Sequence, residues 1–482
     1  MIDLRPILYA IGILVIFLGF GMLIPALVDV FMGNPDWLTF VSSAFVTLFV
    51  GAAFYLANKG TEQALNLKQA FLMTTALWVV LPFFAAFPLA FSELNLSFTD
   101  AYFEAMSGLT TTGSTVLTGL DSMPPGILLW RAILQWFGGI GIVVMAVAIL
   151  PMLQVGGMQL FHMESSDTSD KILPRARQIT SAIGGLYITF TAICALMLII
   201  AGLTPFDAIA HAMTTIATGG FSTSDGSVGH FDSAFVDFII ILFMIVGSLP
   251  FVLYLQVLRG KPLAFWRDEQ ARTFLYIVAI LVGIVTLWLI YFKGYGPFEA
   301  LRYGSFNIIS IMTGTGYATM DYGAWGTFSV TMFFCIMFIG GCAGSTSCGI
   351  KIFRFQVLFK NMKNWIGKSM HPNGIFIPRY NGAKISPDVT SSVMSFLAFF
   401  LICYMILAVL VALTGVDWVT AFSGAGTAIA NVGPGLGDTI GPAGTFQTLP
   451  DSAKWILCAG MLLGRLELFT VLVLFSKTFW KS

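Results

Sequence analysis

The sequence predicts an all-α polytopic membrane protein of ten transmembrane helices, two at the N-terminus and eight arranged as four pseudo-symmetric units around a central pore. Three observations carry this. Of 482 residues, 57% are hydrophobic and only 10% charged, with a mean hydropathy of +0.87, whereas a soluble chain carries about a quarter charged residues. Apolar stretches of the length a bilayer requires, about 20 residues as a helix, recur along the whole chain. Four segments too short to span, each followed by a Gly/Thr-rich run, recur between them.

The expected spans run roughly over 7–31, 37–57, 69–92, 125–152, 180–202, 232–257, 273–292, 325–353, 390–414 and 453–476. The first is too long for a signal-peptide core and lacks a small-residue cleavage site, so it is expected to stay in the mature protein. Basic loops are retained on the cytoplasmic side. One set of loops holds Lys59 and Lys68; Lys171, Arg175 and Arg177; Arg259, Lys261, Arg267 and Arg272; and Arg354, Lys360, Lys363, Lys368, Arg379 and Lys384. These loops and both termini are expected inside. The alternate loops are nearly free of Lys and Arg and carry acids such as Asp100, Asp207, Asp225, Glu299 and Asp417. An acidic outer face raises the local cation concentration, although acid outside is also what the positive-inside rule leaves behind.

Overall charge is balanced, 24 Lys plus Arg against 24 Asp plus Glu, which removes the case for a nucleic-acid binder built on a basic surface. The six cysteines form no CxxC pair and have no histidine nearby, which argues against a disulfide framework and a zinc site. His162, His211, His230 and His371 are dispersed, and no HExxH or GxSxG is present to support a membrane enzyme. His211 reads as packed or at the outer vestibule.

The four short segments read TDAYFEAMSGLTTTGST from Thr99, PFDAIAHAMTTIATGGFST from Pro205, PFEALRYGSFNIISIMTGTGYAT from Pro297 and VDWVTAFSGAGTAIANVGPG from Val416. Gly113 to Gly219 is 106 residues, Gly219 to Gly316 is 97, and Gly316 to Gly433 is 117. Pro, Thr, Asp and Glu at the start open helices, and a carboxylate there complements the positive end of the dipole. The chain then re-enters without crossing. Non-helical backbone at membrane depth is tolerated only where it is buried in protein or lines a wet cavity. Four such runs around one axis bring carbonyl oxygens together, which is how a dehydrated K+ or Na+ is held. From opening acid to glycine the distances are 13, 12, 17 and 16 residues, so the four pore helices should differ in length.

Two further features sit inside apolar spans. The span beginning near Phe328 is interrupted at GGCAGSTSCGIK, residues 340–351. Small residues permit close helix packing, while Lys351 beside the apolar run suits a water-lined break; both readings stand on the residues alone. Arg465 lies within AGMLLGRLELFTVLVLF. A guanidinium in lipid costs about 2.5–3.5 kcal/mol on insertion scales, so it should face the bundle interior, either a cavity or a salt-bridge partner. Glu467, two positions on, points elsewhere on a helix.

At these residues the chain resembles the Trk/Ktr/HKT superfamily of cation transporters. The matches include SGLTTTGSTVL at 107–117, WRAILQWFGGIGIVV at 130–144, TTIATGGFST at 214–223 and ANVGPGLG at 430–437. The resemblance implies four M1-P-M2 repeats at 69–178, 179–272, 273–389 and 390–482, after an N-terminal two-helix domain at 1–68. It maps a K+ filter onto Thr111, Thr112 and Gly113; Ala217, Thr218 and Gly219; Gly314, Thr315 and Gly316; and Asn431, Val432 and Gly433. Members with Ser in the first filter prefer sodium, so Gly113 implies potassium. The break becomes an intramembrane gating loop in the third repeat, containing Gly340, Gly341, Ala343, Gly344, Ser345, Thr346, Ser347 and Lys351, with Arg465 opposite it as an electrostatic barrier. The family also implies a homodimer with one pore per protomer in the bacterial inner membrane, regulated by a cytoplasmic TrkA-like ring with nucleotide-binding domains. The basic stretch 354–384 is a candidate docking surface for that ring, or simply a retained basic loop. No bound organic cofactor is implied. A coupled K+/H+ or K+/Na+ symporter is the alternative, but the filter segments contain no titratable residue.

Overall fold

The computed structural model describes residues 2–60, 66–148 and 172–480. Lys171, His162 and the end of the expected span 125–152 lie outside the described residues, as do the side chains of Arg175 and Arg177. The principal elements, numbered in chain order, begin with α1 (Arg5–Met32), α2 (Trp37–Ala57), α3 (Leu67–Ala85), α4 (Phe98–Leu109), α5 (Pro125–Ala148), α6 (Ile172–Ile200) and α7 (Pro205–Ile216). The middle of the chain forms α8 (Ala234–Ser248), α9 (Phe251–Leu258), α10 (Glu269–Lys293), α11 (Pro297–Thr313), α12 (Thr327–Ile336) and α13 (Ile352–Met370). A two-residue hairpin, β1 (Arg379–Tyr380) with β2 (Ala383–Lys384), precedes α14 (Pro387–Ala412), α15 (Trp418–Ala430), α16 (Asp451–Arg465) and α17 (Phe469–Leu472).

Among the described residues, α1, α2, α3, α5, α6, α10 and α14 are each long and apolar enough to cross a membrane. Their outward faces, with Phe17, Phe20, Phe45 and Phe49 exposed on α1 and α2 alone, are what a bilayer rather than water would solvate. The spans expected over 232–257 and 453–476 are instead bent pairs: α8 and α9 meet at 92°, and α16 and the helical turns after it at 107°. Counting each pair once gives up to nine crossings. The stretch expected to span from 325 to 353 is helical only over α12, leaves the helix after Ile336, and resumes one at Ile352.

The two bends have identifiable causes. Pro250 has no N–H, so the Val246 carbonyl loses its helical partner and accepts from the Tyr254 hydroxyl at 2.9 Å instead. The α16 break places Glu467 in the left-handed region, φ 58°, with its carboxylate paired to Arg354 of α13. Glu467 thus leaves the helical path to reach a buried cation.

Helix α1 lies against α2 where a Cβ on Gly12 would come within 2.7 Å of Tyr55 N and 2.9 Å of Gly51 O, the close approach that small residues allow between membrane helices. Asp29 of α1 accepts from Gly126 N at 2.7 Å, placing a carboxylate on the first turn of α5. Ion pairs join neighbouring units: Arg302 of α11 reaches Asp237 of α8 at 2.7 Å, and Lys454 of α16 reaches Asp100 of α4 at 2.5 Å.

Candidate functional site

Four short helices, α4, α7, α11 and α15, hold the site. Three open on a side-chain cap: Ser97 accepts from Asp100 N, Thr204 from Asp207 N and Asp417 from Thr420 N. The fourth opens on Gly296 and Pro297. They are 12, 12, 17 and 13 residues long, so the third is the outlier.

All four end in one way. A residue in the left-handed region follows the helix, Thr111 (φ 53°), Thr218 (φ 50°), Gly314 (φ 73°) and Asn431 (φ 51°). Its N–H turns back three residues, to Gly108, Thr215, Ile311 and Ala428, and the next N–H turns back five, to Ser107, Thr214, Ser310 and Thr427. This is a left-handed C-cap. A β-branched threonine there is a true outlier, and strain of that kind persists only where the surroundings over-determine it.

The cap sets the register. Thr112, Gly219, Thr315 and Val432 are equivalent, and the positive-φ glycines that follow are Gly113 (86°), Gly220 (79°), Gly316 (84°) and Gly433 (114°). The second segment is therefore Thr218, Gly219 and Gly220. Ala217, expected to begin it, is the cap residue after α7, with φ −71°, and Gly219 occupies the middle position.

These segments close on one another. A Cβ on Gly113 would overlap the Gly219 carbonyl oxygen, one on Gly220 the Thr315 carbonyl, and one on Gly316 the Val432 carbonyl, while one on Gly433 would stand 2.9 Å from the Thr112 carbonyl. Each third-position glycine thus faces the middle carbonyl of the next segment, first to second to third to fourth and back to first. Gly113, Gly220, Gly316 and Gly433 also line a cavity of about 230 Å³, whose wall includes Asp225.

Behind the ring, side chains stitch neighbours together. Ser114 donates to the Gly433 carbonyl at 2.7 Å, and Asn431 to Thr112 Oγ1 at 2.9 Å. Tyr317 pairs with Thr214 and donates to the His211 carbonyl at 3.3 Å. His211 is fully buried, its ring nitrogens against the Asp207 carbonyl (2.8 Å) and Ser222 Oγ (3.0 Å).

The segment between α12 and α13 lies under this ring, anchored by the α8–α9 break. The Gly247 carbonyl accepts from Thr346 N at 3.1 Å, the Ser248 carbonyl accepts from Cys342 N at 3.0 Å, and Phe251 N donates to the Gly344 carbonyl at 3.0 Å. Gln270 accepts from Ala343 N at 2.6 Å. Thr346 Oγ1 donates to Ile216 O at 2.9 Å and Ser347 Oγ to Thr313 O at 2.6 Å, the C-terminal ends of α7 and α11. Within the segment, Gly340 N donates to Ile350 O, Gly341 N to Ser347 Oγ, and Ser345 Oγ to Cys342 O. Cys348 Sγ lies 3.6 Å from Thr111 Oγ1. All of the loop residues named in the sequence come together here, and Lys351 donates back to the Ser347 carbonyl.

Arg465 joins them. Its Nη1 lies 2.6 Å from Cys348 Sγ and its Nη2 donates to Gly138 O at 2.9 Å. Among the described residues no carboxylate pairs with it; Glu467 is taken by Arg354. A cavity of about 30 Å³ beside the segment is lined by Ser347, Cys348, Lys351, Arg354, Arg465 and Glu467, among others, room for roughly one water.

Sequence reasoning missed Gly220, Cys348 and the two residues of α5 that face the second segment, Arg131 and Gln135. The adjacent glycines at 219 and 220 hid the first. The α5 residues carried a signal, two polar groups one helical turn apart in an apolar span.

A family model described as TrkH, cation transport protein, matches residues 38–482. The chain is 45% identical to the Trk system potassium uptake protein TrkI of Halomonas elongata over 478 residues, 99% of this chain and 97% of that one. It is 39% identical to the Trk system potassium uptake protein TrkH of Escherichia coli over 483 residues, 99% of both. The crystal structure of the potassium transporter TrkH from Vibrio parahaemolyticus superposes with a TM-score of 0.92 at 35% identity, covering all of both chains. On the family match, the full-length relatives and the shared fold together, this chain belongs to the TrkH family of cation transport proteins.

Proposed function

We propose that the chain is the membrane subunit of a bacterial potassium-uptake system and conducts K+ through the four segments Thr111–Gly113, Thr218–Gly220, Gly314–Gly316 and Asn431–Gly433. The single observation that carries this is the cyclic closure of those segments, third glycine against neighbouring carbonyl at every step. A ring of backbone carbonyls replaces an ion's hydration shell. A Cβ at Gly113 would take the space the Gly219 carbonyl occupies, which supports potassium over sodium in this family. The repeats 69–178, 179–272, 273–389 and 390–482 each supply one helix and one segment, after the two-helix domain 1–68.

The acidic face carrying the helix N-termini lies outside, where Asp225 and its neighbours concentrate cations; the basic loops and both termini lie on the cytoplasmic side of the inner membrane. Residues 340–351 form the gate. They hydrogen-bond to the ends of two pore helices directly below the ring, and Arg465 fixes the closed position. Movement of this loop is driven by a TrkA-like cytoplasmic ring docked on the basic stretch 354–384 of a homodimer. Conduction is passive, since the segments carry no titratable side chain to couple it to protons.

The test is ion flux in liposomes containing the purified protein, under separate K+ and Na+ gradients. K+ flux well above Na+ flux, present without a proton gradient, is the expected result. Equal fluxes overturn the selectivity, and a strict requirement for a second ion gradient overturns passive conduction.

A further inference from the structure

Arg131 is 1% exposed and Glu104 is 0% exposed, yet the two form an ion pair at 2.8 Å behind the first and second segments. Arg131 uses all three edges of its fork. Nε reaches Glu104, Nη1 donates to the Ser222 carbonyl at 2.8 Å, and Nη2 donates to Thr115 Oγ1 at 3.3 Å. The guanidinium also stands 4.2 Å from the Phe221 ring, within cation–π range. Glu104 in turn accepts from Thr115 Oγ1 at 2.9 Å and from Val116 N at 2.9 Å. One turn along α5, Gln135 donates to the Gly219 carbonyl at 2.6 Å and accepts from Phe221 N at 3.0 Å.

So residues 115–116, just after the first segment, and 219–222, ending and following the second, are tied together through Arg131 and Gln135 of α5 and Glu104 of α4. Closing a ring does not by itself demand this. Among the described residues no hydrogen bond joins 313–321 to 423–436, and that seam closes through Gly316 against the Val432 carbonyl. A buried ion pair is also poor value for stability, because apolar groups of similar size often pack as well or better. Its advantage is geometric: a planar, fully charged fork holds several acceptors at fixed positions.

We infer that Arg131, oriented by Glu104, is a positioning residue for ion selectivity, setting the separation of the first two filter segments. This rests on the filter reading above. The pair touches no ion; it acts by holding the backbone whose carbonyls do. Loosening it lets the ring contract around a smaller ion, so sodium is favoured relative to potassium while total flux persists.

The test compares the K+/Na+ permeability ratio, from reversal potentials of reconstituted protein, in three variants. The double variant Glu104→Gln with Arg131→Met removes both charges and leaves no orphaned ion in the core. Arg131→Lys keeps the charge without the fork, and Gly113→Ser alters the filter itself. The expected ratio falls about five- to tenfold in the double variant, the size of effect one lost hydrogen bond supports, with Arg131→Lys intermediate. If the double variant does not fold, Arg131→Lys carries the test. A wild-type ratio in the folded Arg131 variants, with a changed ratio in Gly113→Ser, overturns this inference and leaves the filter standing. A wild-type ratio in all three overturns both.

Discussion

Nη1 of Arg465 lies 2.6 Å from Sγ of Cys348, joining the end of α16 to the loop beneath the ring. The same guanidinium holds the Gly138 carbonyl of α5 at 2.9 Å, and its Nε has no partner among the described residues. The guanidinium is held by a thiol and a carbonyl, with no carboxylate partner among the described residues.

On the proposed role of Arg465 as a barrier in the permeation path, removing its charge is expected to raise K+ flux. Two unit charges 4 Å apart exchange about 4 kcal/mol at an effective dielectric of 20, and relief of only about 1.4 kcal/mol raises flux about tenfold. Arg465→Ala is expected to show at least that increase in liposomes, and Arg465→Lys, which keeps the charge, to stay near wild type. Unaltered flux in folded Arg465→Ala protein places the residue outside the permeation path.

On the proposed role of residues 340–351 as the gate, shortening the loop is expected to open the pore. Deleting Ala343 to Ser347 removes the Gln270, Gly247 and Thr313 anchors together and should give high flux without any cytoplasmic partner. Gln270→Leu removes the Ala343 anchor alone, worth about 1 kcal/mol, and should raise basal flux about fivefold. If folded deletion protein conducts no more than wild type, the loop is a packing element.

The register of the second segment separates two adjacent glycines. Gly220→Ala forces φ 79° on a residue with a Cβ and drives that Cβ into the Thr315 carbonyl. A Cβ on Gly219 instead meets the buried Gln135 side chain, which holds the Gly219 carbonyl and Phe221 N, so it displaces an anchor behind the segment rather than a carbonyl of the ring. Gly220→Ala should therefore lose more K+ over Na+ discrimination than Gly219→Ala, measured as the permeability ratio. The reverse order contradicts the register.

Lys454 and Asp100 tie the fourth unit to the first, Lys454 being 4% and Asp100 19% exposed. Lys454→Met leaves a poorly solvated carboxylate and should cost about 2–3 kcal/mol, seen as a lower thermal unfolding midpoint. Because the pair is shielded from solvent, the loss should change little between low and high salt. A midpoint equal to wild type makes the contact energetically neutral.

The location of the site was legible from four acid-to-glycine segments, because each helix had to open on a cap and end on a residue able to turn left-handed. Its register was legible in three. At 217–220 the sequence offers two glycines, and only the hydrogen bonds from Thr218 N and Gly219 N show which follows the cap. The bends were hidden by hydropathy, which stays high through both; Pro250 was the available signal for one, while the turn at Glu467 depends on Arg354, 113 residues away. The loop's small residues were visible as an interruption. Their anchoring was not, since it needs carbonyls freed by a break in another helix.

The most direct measurement is the reversal potential of reconstituted Gly113→Ser protein beside wild type, with K+ on one side and Na+ on the other. A side chain at 113 collides with the Gly219 carbonyl, so a strong K+ preference is expected in wild type and a clearly reduced one in the variant, at similar protein insertion. An identical K+/Na+ ratio in the two would contradict the assignment of these four segments as the filter.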